Sequence, residues 1–356
     1  MAFGLFKKKK KVESSDSRFM HLTIKEVVHE TADAVSLVFE EPESGKLNYK
    51  PGQFITLILT VEGKKIRRAY SLSSSPYLGE NPTVTIKRVE GGMMSNYINS
   101  KLKTGNEIEI MEPMGSFTTE ISADNRRHIF LVGGGSGVTP LMSLAKSILS
   151  EESDSKISLI YANQNESSII FADRIKSLKT EYPDKFDFID FLENPPSDWS
   201  GYTGRLDVNN LKTAISELSD DSYADVAYYT CGPEPMMNIV MKTLDEMDVA
   251  DDKKHKESFV AGNTSPKEII ANEGETLGER EVTIILHGEE HKYTVNPKST
   301  ILESGLNQNL DMPYSCQSGL CTACRGKCIS GIIKMDEEDG LSAEEKAQGY
   351  VLLCVG

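Results

Sequence analysis

The sequence predicts a multi-domain chain: a β-barrel, then a doubly wound α/β domain, then a small α+β unit. Three observations carry that prediction. Short alternating runs separated by turn residues fill the first third, strands alternating with helices fill the middle, and Cys316, Cys321, Cys324, Cys328 and Cys354 crowd the C-terminal end while Cys231 stands alone. At roughly 150 residues per domain, a chain of 356 residues has room for two or three such units, each with a real core.

The barrel is expected over 17–122. Runs at 21–28, 35–39, 54–61, 83–89 and 107–111 alternate apolar and polar residues, Glu62-Gly63 makes a hairpin turn, and Arg68-Ala69-Tyr70-Ser71 closes a further strand. One short helix fits 95–102. The second unit, 123–261, opens with an apolar strand at 128–132 that runs into glycines and then a helical stripe of Leu141, Leu144, Ala145, Ile148 and Leu149. A strand at 157–161, a helix near 169–178, a strand at 226–230 and a helix bearing Met236, Val240, Leu244 and Met247 continue the alternation, which implies a parallel sheet. Residues 262–278 read as a linker. The last unit, 279–356, begins with a hairpin from 282–286 through Gly288 to 293–295, followed by a short helix that Thr300 and Glu303 mark with a capping box.

Composition excludes several classes. The formal charge of −15 argues against a protein that binds nucleic acid by neutralising phosphates and favours a cationic protein partner. No apolar run approaches the roughly 18 residues that span a bilayer, and no secretory signal core is present, which places the protein in the cytoplasm. Residues 1–16 form a flexible basic tail with Lys7 to Lys11. That tail would allow weak peripheral contact with an anionic membrane, worth about 1 kcal/mol per lysine.

Cys316, Cys321, Cys324 and Cys354 follow C-x4-C-x2-C with a distant fourth cysteine, the spacing of a plant-type [2Fe-2S] centre. Zinc sites more often pair two C-x2-C units or use histidines. The residues between the ligands are small or polar, so backbone N–H groups can approach the sulfides. Cys328 is a fifth thiol that the pattern leaves out of the ligand set. An acidic group, Asp336 to Asp339, falls between the third and fourth ligands and would draw in a basic acceptor surface.

Between the strand at 128–132 and the helix that follows, Gly133-Gly134-Gly135-Ser136-Gly137-Val138-Thr139-Pro140 can bring backbone amides to a pyrophosphate. Thr139 is expected as N-cap with Pro140 at the first helical position. Val138 stands where the third glycine of a G-x-G-x-x-G fingerprint would be. In the barrel, Arg68 suits a phosphate and Tyr70 the face of a ring.

In this order the motifs resemble the ferredoxin-NADP reductase superfamily. Pro51-Gly52-Gln53-Phe54, Arg68-Ala69-Tyr70-Ser71 and Gly91-Gly92-Met93-Met94-Ser95 match its flavin domain, while 133–140 and Cys231-Gly232-Pro233 match its nicotinamide domain. With a C-terminal plant-type ferredoxin of the β-grasp kind, the arrangement is similar to the reductase subunits of phenylacetyl-CoA epoxidase and its relatives. The resemblance implies that Arg68 and Ala69 hold the flavin phosphates, Tyr70 the isoalloxazine, and Gly91, Gly92, Met93, Met94 and Ser95 the pyrophosphate, with FAD preferred to FMN. It places Ser71 near flavin N5. It assigns Gly134, Gly135, Ser136, Gly137, Val138 and Thr139 to the nicotinamide dinucleotide, with Cys231, Gly232 and Pro233 beside the nicotinamide. Glu257-Ser258-Phe259 resembles the acidic-x-aromatic segment that ends this fold, with Glu257 among the reacting groups and Phe259 near the flavin. After the strand at 157–161, residues 162–165 carry neither the arginine common in NADPH users nor the acidic residue of NAD-specific sites, and the choice leans to NADH.

Joined in one chain, these sites imply conversion of hydride into single electrons. The partner implied is an oxygenase component, first a di-iron one of the phenylacetyl-CoA epoxidase kind. Other acceptors are a Rieske oxygenase, a desaturase or a deoxysugar dehydratase system, and a redox-sensing iron–sulfur flavoprotein is the alternative from another class.

Overall fold

The computed structural model describes residues 19–259, 278–286, 288–319, 321–336 and 340–356. The basic tail, nearly all of the expected linker, and Glu337, Glu338 and Asp339 of the acidic group lie outside the described residues.

Strands β1 (Phe19–Thr31), β2 (Ala34–Phe39), β3 (Phe54–Val61), β4 (Lys64–Ser71) and β5 (Thr83–Lys87), helix α1 (Met93–Lys101) and strand β6 (Glu107–Met114) form the first unit. The strands make one six-stranded sheet in the order β4-β3-β6-β1-β2-β5, antiparallel throughout. A bridge between Leu72 and Val84 joins its two ends, so the sheet curls into a barrel. The core inside is Leu22, Ile24, Leu37, Phe39, Ile55, Leu57, Ile86 and Ile110 with their neighbours. On β3 the residues in between, Phe54 and Ile58, are buried as well, but in a different cluster on the outer face. The β3–β4 turn has Glu62 at φ 50° and Gly63 at φ 77°, the paired left-handed geometry of a two-residue hairpin.

The second unit runs β7 (His128–Gly134), α2 (Val138–Glu151), β8 (Lys156–Asn163), α3 (Ala172–Glu181), β9 (Phe186–Leu192), β10 (Tyr202–Thr203), α4 (Val208–Leu218), β11 (Val226–Cys231), α5 (Glu234–Glu246) and β12 (Lys254–Glu257). Its sheet is parallel in the order β10-β9-β8-β7-β11-β12. The chain order reverses at β7, which puts the carboxyl ends of β7 and β11 at the switch point where such sheets bind ligands. Ser143 donates to the Ser74 carbonyl at 2.6 Å and Lys146 pairs with Glu80 at 2.5 Å, which ties α2 to the barrel.

One expectation is corrected here. Helix α2 begins at Val138 after a 3-10 turn over Gly135–Gly137, with Gly137 as N-cap. Thr139 is therefore inside the helix, where its hydroxyl donates to the Ser136 carbonyl at 3.0 Å, and Pro140 sits deeper in the first turn. A glycine-led 3-10 turn supplies the entry that a threonine cap would otherwise make.

His128, at the start of β7, is buried, with Nε2 2.8 Å from Ser158 Oγ. Burial, helped by the charge of Lys156, holds its pKa down to about 4. The unfolded ring takes up a proton near 6.5, so its contribution is intact above that value and is lost as pH falls from about 6.5 towards 4. His128→Gln should flatten that acid limb in urea midpoints measured against pH; an unchanged slope over this window would contradict the assignment.

The third unit holds β13 (Arg280–Leu286), β14 (Glu289–Val295), α6 (Ile301–Asn307), β15 (Arg325–Lys327), α7 (Ala343–Ala347) and β16 (Tyr350–Leu352). The strands pair as β13–β14 and β15–β16, both antiparallel. The Thr300–Glu303 capping box closes as expected. Leu302, Met312, Leu341 and Leu352 surround Cys324 and Cys354.

Candidate functional site

Side chains alternate along a strand, and β4 uses both of its faces. Ile66 and Tyr70 pack against the barrel core, and Arg68 shares their parity. Arg68 Nη1 donates to the Arg67 carbonyl at 2.8 Å, which lays its guanidinium along the strand. Burial raises the phenol pKa of Tyr70, and the charge of Arg68 offsets part of that rise.

A second anion-binding feature is the start of α1. Gly92 caps it with no side-chain hydrogen bond, so the first-turn amides at 93–95 are available to a phosphate. A Cβ on Gly92 would lie 2.7 Å from Ser95 Oγ and 2.9 Å from Val89 Cβ, so glycine alone fits. Ser95 Oγ accepts from the Val89 amide at 3.1 Å. Met94 is buried in the barrel core, which leaves its backbone as the part open to a ligand, whereas Met93 is exposed. Gly91 takes φ 68°.

At the switch point the two glycine loops press backbone on backbone. A Cβ on Gly137 would fall on the Cys231 carbonyl, one on Gly134 would meet Met236 Sδ at 2.7 Å and Pro233 Cδ at 2.8 Å, and one on Gly232 would stand 3.0 Å from the Gly134 amide nitrogen. Tyr161 braces the turn by donating to the Gly135 carbonyl at 2.8 Å. Neither the 3-10 turn nor α2 has a side-chain cap or an acidic residue in its first turn, so the amide end stays free for an anionic ligand.

The second and third units meet at Glu257. It pairs in register with Cys231 on the neighbouring strand. Burial raises the Cys231 thiol, and the Glu257 charge adds to the rise. Burial also raises Glu257 to about 8, with Cys316 as the charged neighbour. Ser71, on the Arg67 face of β4, is buried too. Phe259 stands 43% exposed rather than packed in a core.

The cysteine loop folds on itself through left-handed residues Gln317 (φ 56°) and Gly319 (φ 76°). The thiol of Cys316 interacts with those of Cys321 and Cys354, and that of Cys324 with Cys354, so all four thiols face one another. The Ser318 amide donates to Cys316 Sγ at 3.5 Å. Among the described residues no three of His, Cys, Asp or Glu gather as tightly as a single metal ion requires, and a two-iron body is wider than one ion. Four soft thiols fit that body. Cys328 turns away to the Ser330 and Gly331 carbonyls.

Sequence patterns alone pick out neither Arg67 and Thr56 nor the nearness of Glu257 to Cys316. For Arg67 a signal existed: two successive arginines in a strand must face opposite ways.

With a niche for a flavin, for a nicotinamide and for a thiolate-held cluster, the chain falls in the class of iron–sulfur flavoprotein oxidoreductases. Family models agree, matching an oxidoreductase FAD-binding domain at 20–119, an oxidoreductase NAD-binding domain at 131–242 and a 2Fe-2S iron-sulfur cluster binding domain at 284–356. The 3-ketosteroid-9-alpha-monooxygenase ferredoxin reductase component of Rhodococcus rhodochrous is 34% identical, covering 95% of this chain and 94% of the relative. One of the subunits of the 1,2-phenylacetyl-CoA epoxidase of Escherichia coli is 30% identical, covering 94% of each. The chain belongs to this family of ferredoxin reductase components, oxidoreductases that bind FAD, NAD and a [2Fe-2S] cluster. A crystal structure of an intact type IV self-sufficient cytochrome P450 monooxygenase shares the fold over 94% of this chain and 39% of its own, with TM-score 0.66 and 20% identity. Among the described residues no helix is long and apolar enough to cross a membrane.

Arg68→Ala should weaken FAD retention by about 1.5 to 3 kcal/mol, the worth of a hydrogen bond to a charged group, or roughly tenfold to 100-fold in affinity. Unchanged FAD affinity on titration of the apoprotein would remove Arg68 from the site.

Proposed function

We propose that the protein takes hydride from NADH and delivers single electrons to an oxygenase component, of the phenylacetyl-CoA epoxidase type. The observation that carries the reading is the convergence of Cys231, Glu257 and Cys316 from the nicotinamide and cluster units. Bound FAD and cluster supply the conversion of an electron pair into single electrons. The chain's own residues bind and orient. Arg68 and the α1 amides hold phosphates, Tyr70 flanks the flavin ring, Ser71 borders its N5, Phe259 covers it, and the loops at 134–139 and 231–233 hold the dinucleotide with Cys231 beside the nicotinamide. Glu257 closes the same space. Cys316, Cys321, Cys324 and Cys354 are the cluster ligands. The domain limits that go with this reading are 17–122, 123–261 and 279–356.

A second acceptor is favoured by the 34% relative: the oxygenase of a ketosteroid monooxygenase. Purified protein is mixed with NADH and either oxygenase, and NADH use that depends on the organic substrate is followed. Coupled turnover with the epoxidase component supports the first reading; coupling with the steroid oxygenase alone replaces it with the second. Failure to sustain NADH oxidation with an artificial one-electron acceptor would overturn both in favour of a redox sensor.

A further inference from the structure

The face of β4 opposite Arg68 is covered by the third unit. There Arg67 is 4% exposed. It donates from Nη1 to the Met312 carbonyl and from Nη2 to Asp311 Oδ1, both at 2.8 Å, and its guanidinium lies 5.3 Å from the centre of the Tyr314 ring. On β3, fully buried Thr56 shares a hydrogen bond with the Ser315 hydroxyl, and Lys65 on β4 lies 3.9 Å from the other Asp311 oxygen. Around these contacts Phe54, Ile58, Met111 and Met114 pack on Cys321 and Ala323. Among the described residues these polar contacts fall on 311–315, immediately before Cys316.

We propose that Arg67, assisted by Thr56, is a positioning residue for internal electron transfer: it fixes 311–315 to the barrel wall and thereby fixes the separation of flavin and cluster. The proposal rests on the reading that electrons pass from flavin to cluster within this chain. An apolar contact alone tolerates sliding, because one methylene packs much like the next. A desolvated guanidinium does not, since its planar fork is satisfied only where its acceptors lie. In this pose Nη1 and Nη2 find the Met312 carbonyl and Asp311, while the buried Nε has no hydrogen-bond partner among the described residues. Electron transfer falls steeply with separation, so an interface that these two hydrogen bonds hold in one pose gives one rate.

The test uses full-length holoprotein in stopped flow, with flavin reduction and cluster bleaching followed separately after mixing with NADH. Arg67→Ala should leave flavin content, iron content, the cluster's EPR signal and the flavin-reduction rate as in the parent. The cluster-bleaching phase should slow severalfold, because tunnelling weakens with every ångström added between donor and acceptor. It should also become sensitive to added viscogen, because docking then has to be found by diffusion. Amide exchange at 311–315 should quicken while that of the barrel core does not. Asp311→Asn, which leaves the Met312 acceptor in place, should slow bleaching far less. An unchanged bleaching rate overturns the proposal, as does slowing without faster exchange at 311–315. If Arg67→Ala fails to keep its cofactors, Thr56→Val carries the test, with a smaller slowing and the same exchange signature; no change in either sinks the proposal. A parent protein whose flavin is reduced but whose cluster never bleaches would instead defeat the reading on which the proposal rests.

Discussion

Serine in place of Cys316, Cys321, Cys324 or Cys354 should give a protein that keeps its FAD and loses both irons. A serine hydroxyl is a harder and far weaker ligand for iron than a thiolate. Even the partners that merely orient metal ligands are worth 10 to 100-fold, so losing a ligand should lower cluster occupancy and electron delivery on the order of 100-fold or more. The flavin should stay because Arg68 and Tyr70 lie on the opposite face of β4 from the cysteine loop. Cys328→Ser should keep both cofactors, since that thiol donates to Ser330 and Gly331 carbonyls instead. Iron and flavin analysis of the five variants decides the matter: a Cys328 variant without iron, or one of the other four with a normal cluster, would reverse the assignment.

Gly137→Ala should produce the second largest effect. Its Cβ would fall on the Cys231 carbonyl, with the Gly232 nitrogen at 2.7 Å, and neither is the free end of a side chain that could move aside. Overpacking of this sort costs about 1 to 3 kcal/mol, or roughly fivefold to 150-fold. The two loops would part, so the cost should appear as a raised KM for NADH and slower flavin reduction, with flavin and iron content unchanged. Gly135→Ala is the comparison. Gly135 has φ 52° but open space around its Cβ, so only the left-handed penalty of about 1 to 2 kcal/mol applies. NADH kinetics in the Gly137 variant equal to the parent would show that the loops are not held as described.

Much of this architecture is legible in the residues because it rests on local rules. A largely apolar, β-branched run at 54–61 announces β3, and the C-x4-C-x2-C spacing needs no fold to be read. Other parts are hidden for physical reasons. Helix α4 has an Asp207–Asn210 capping box, but it follows Pro195, Pro196, Asp198, Gly201 and Gly204, which read as continuous loop. Strand β9 is apolar at both parities and broken by Asp187 and Asp190, so no clean period shows. The entry to α2 is misread because Thr139-Pro140 carries a cap signature that Gly135–Gly137 displaces. The meeting of Cys231, Glu257 and Cys316 depends on how the second and third units pack, which no local pattern records.

The Glu62-Gly63 turn bears on both faces of β4 at once. With Val61 opposite Lys64, it puts Arg67 opposite Ile58 and Arg68 opposite Leu57. Parity along β4 is therefore what turns Arg68 to the side of Ile66 and Tyr70 and Arg67 to the ferredoxin unit. One residue added to β4 between the turn and Arg67 would exchange their faces, turning Arg68 outwards opposite Thr56 and Arg67 inwards. Two added residues would restore the order. The β3–β4 hairpin thus acts as an odd–even selector for which face each arginine takes, and natural or engineered changes of length there should be tolerated only in steps of two.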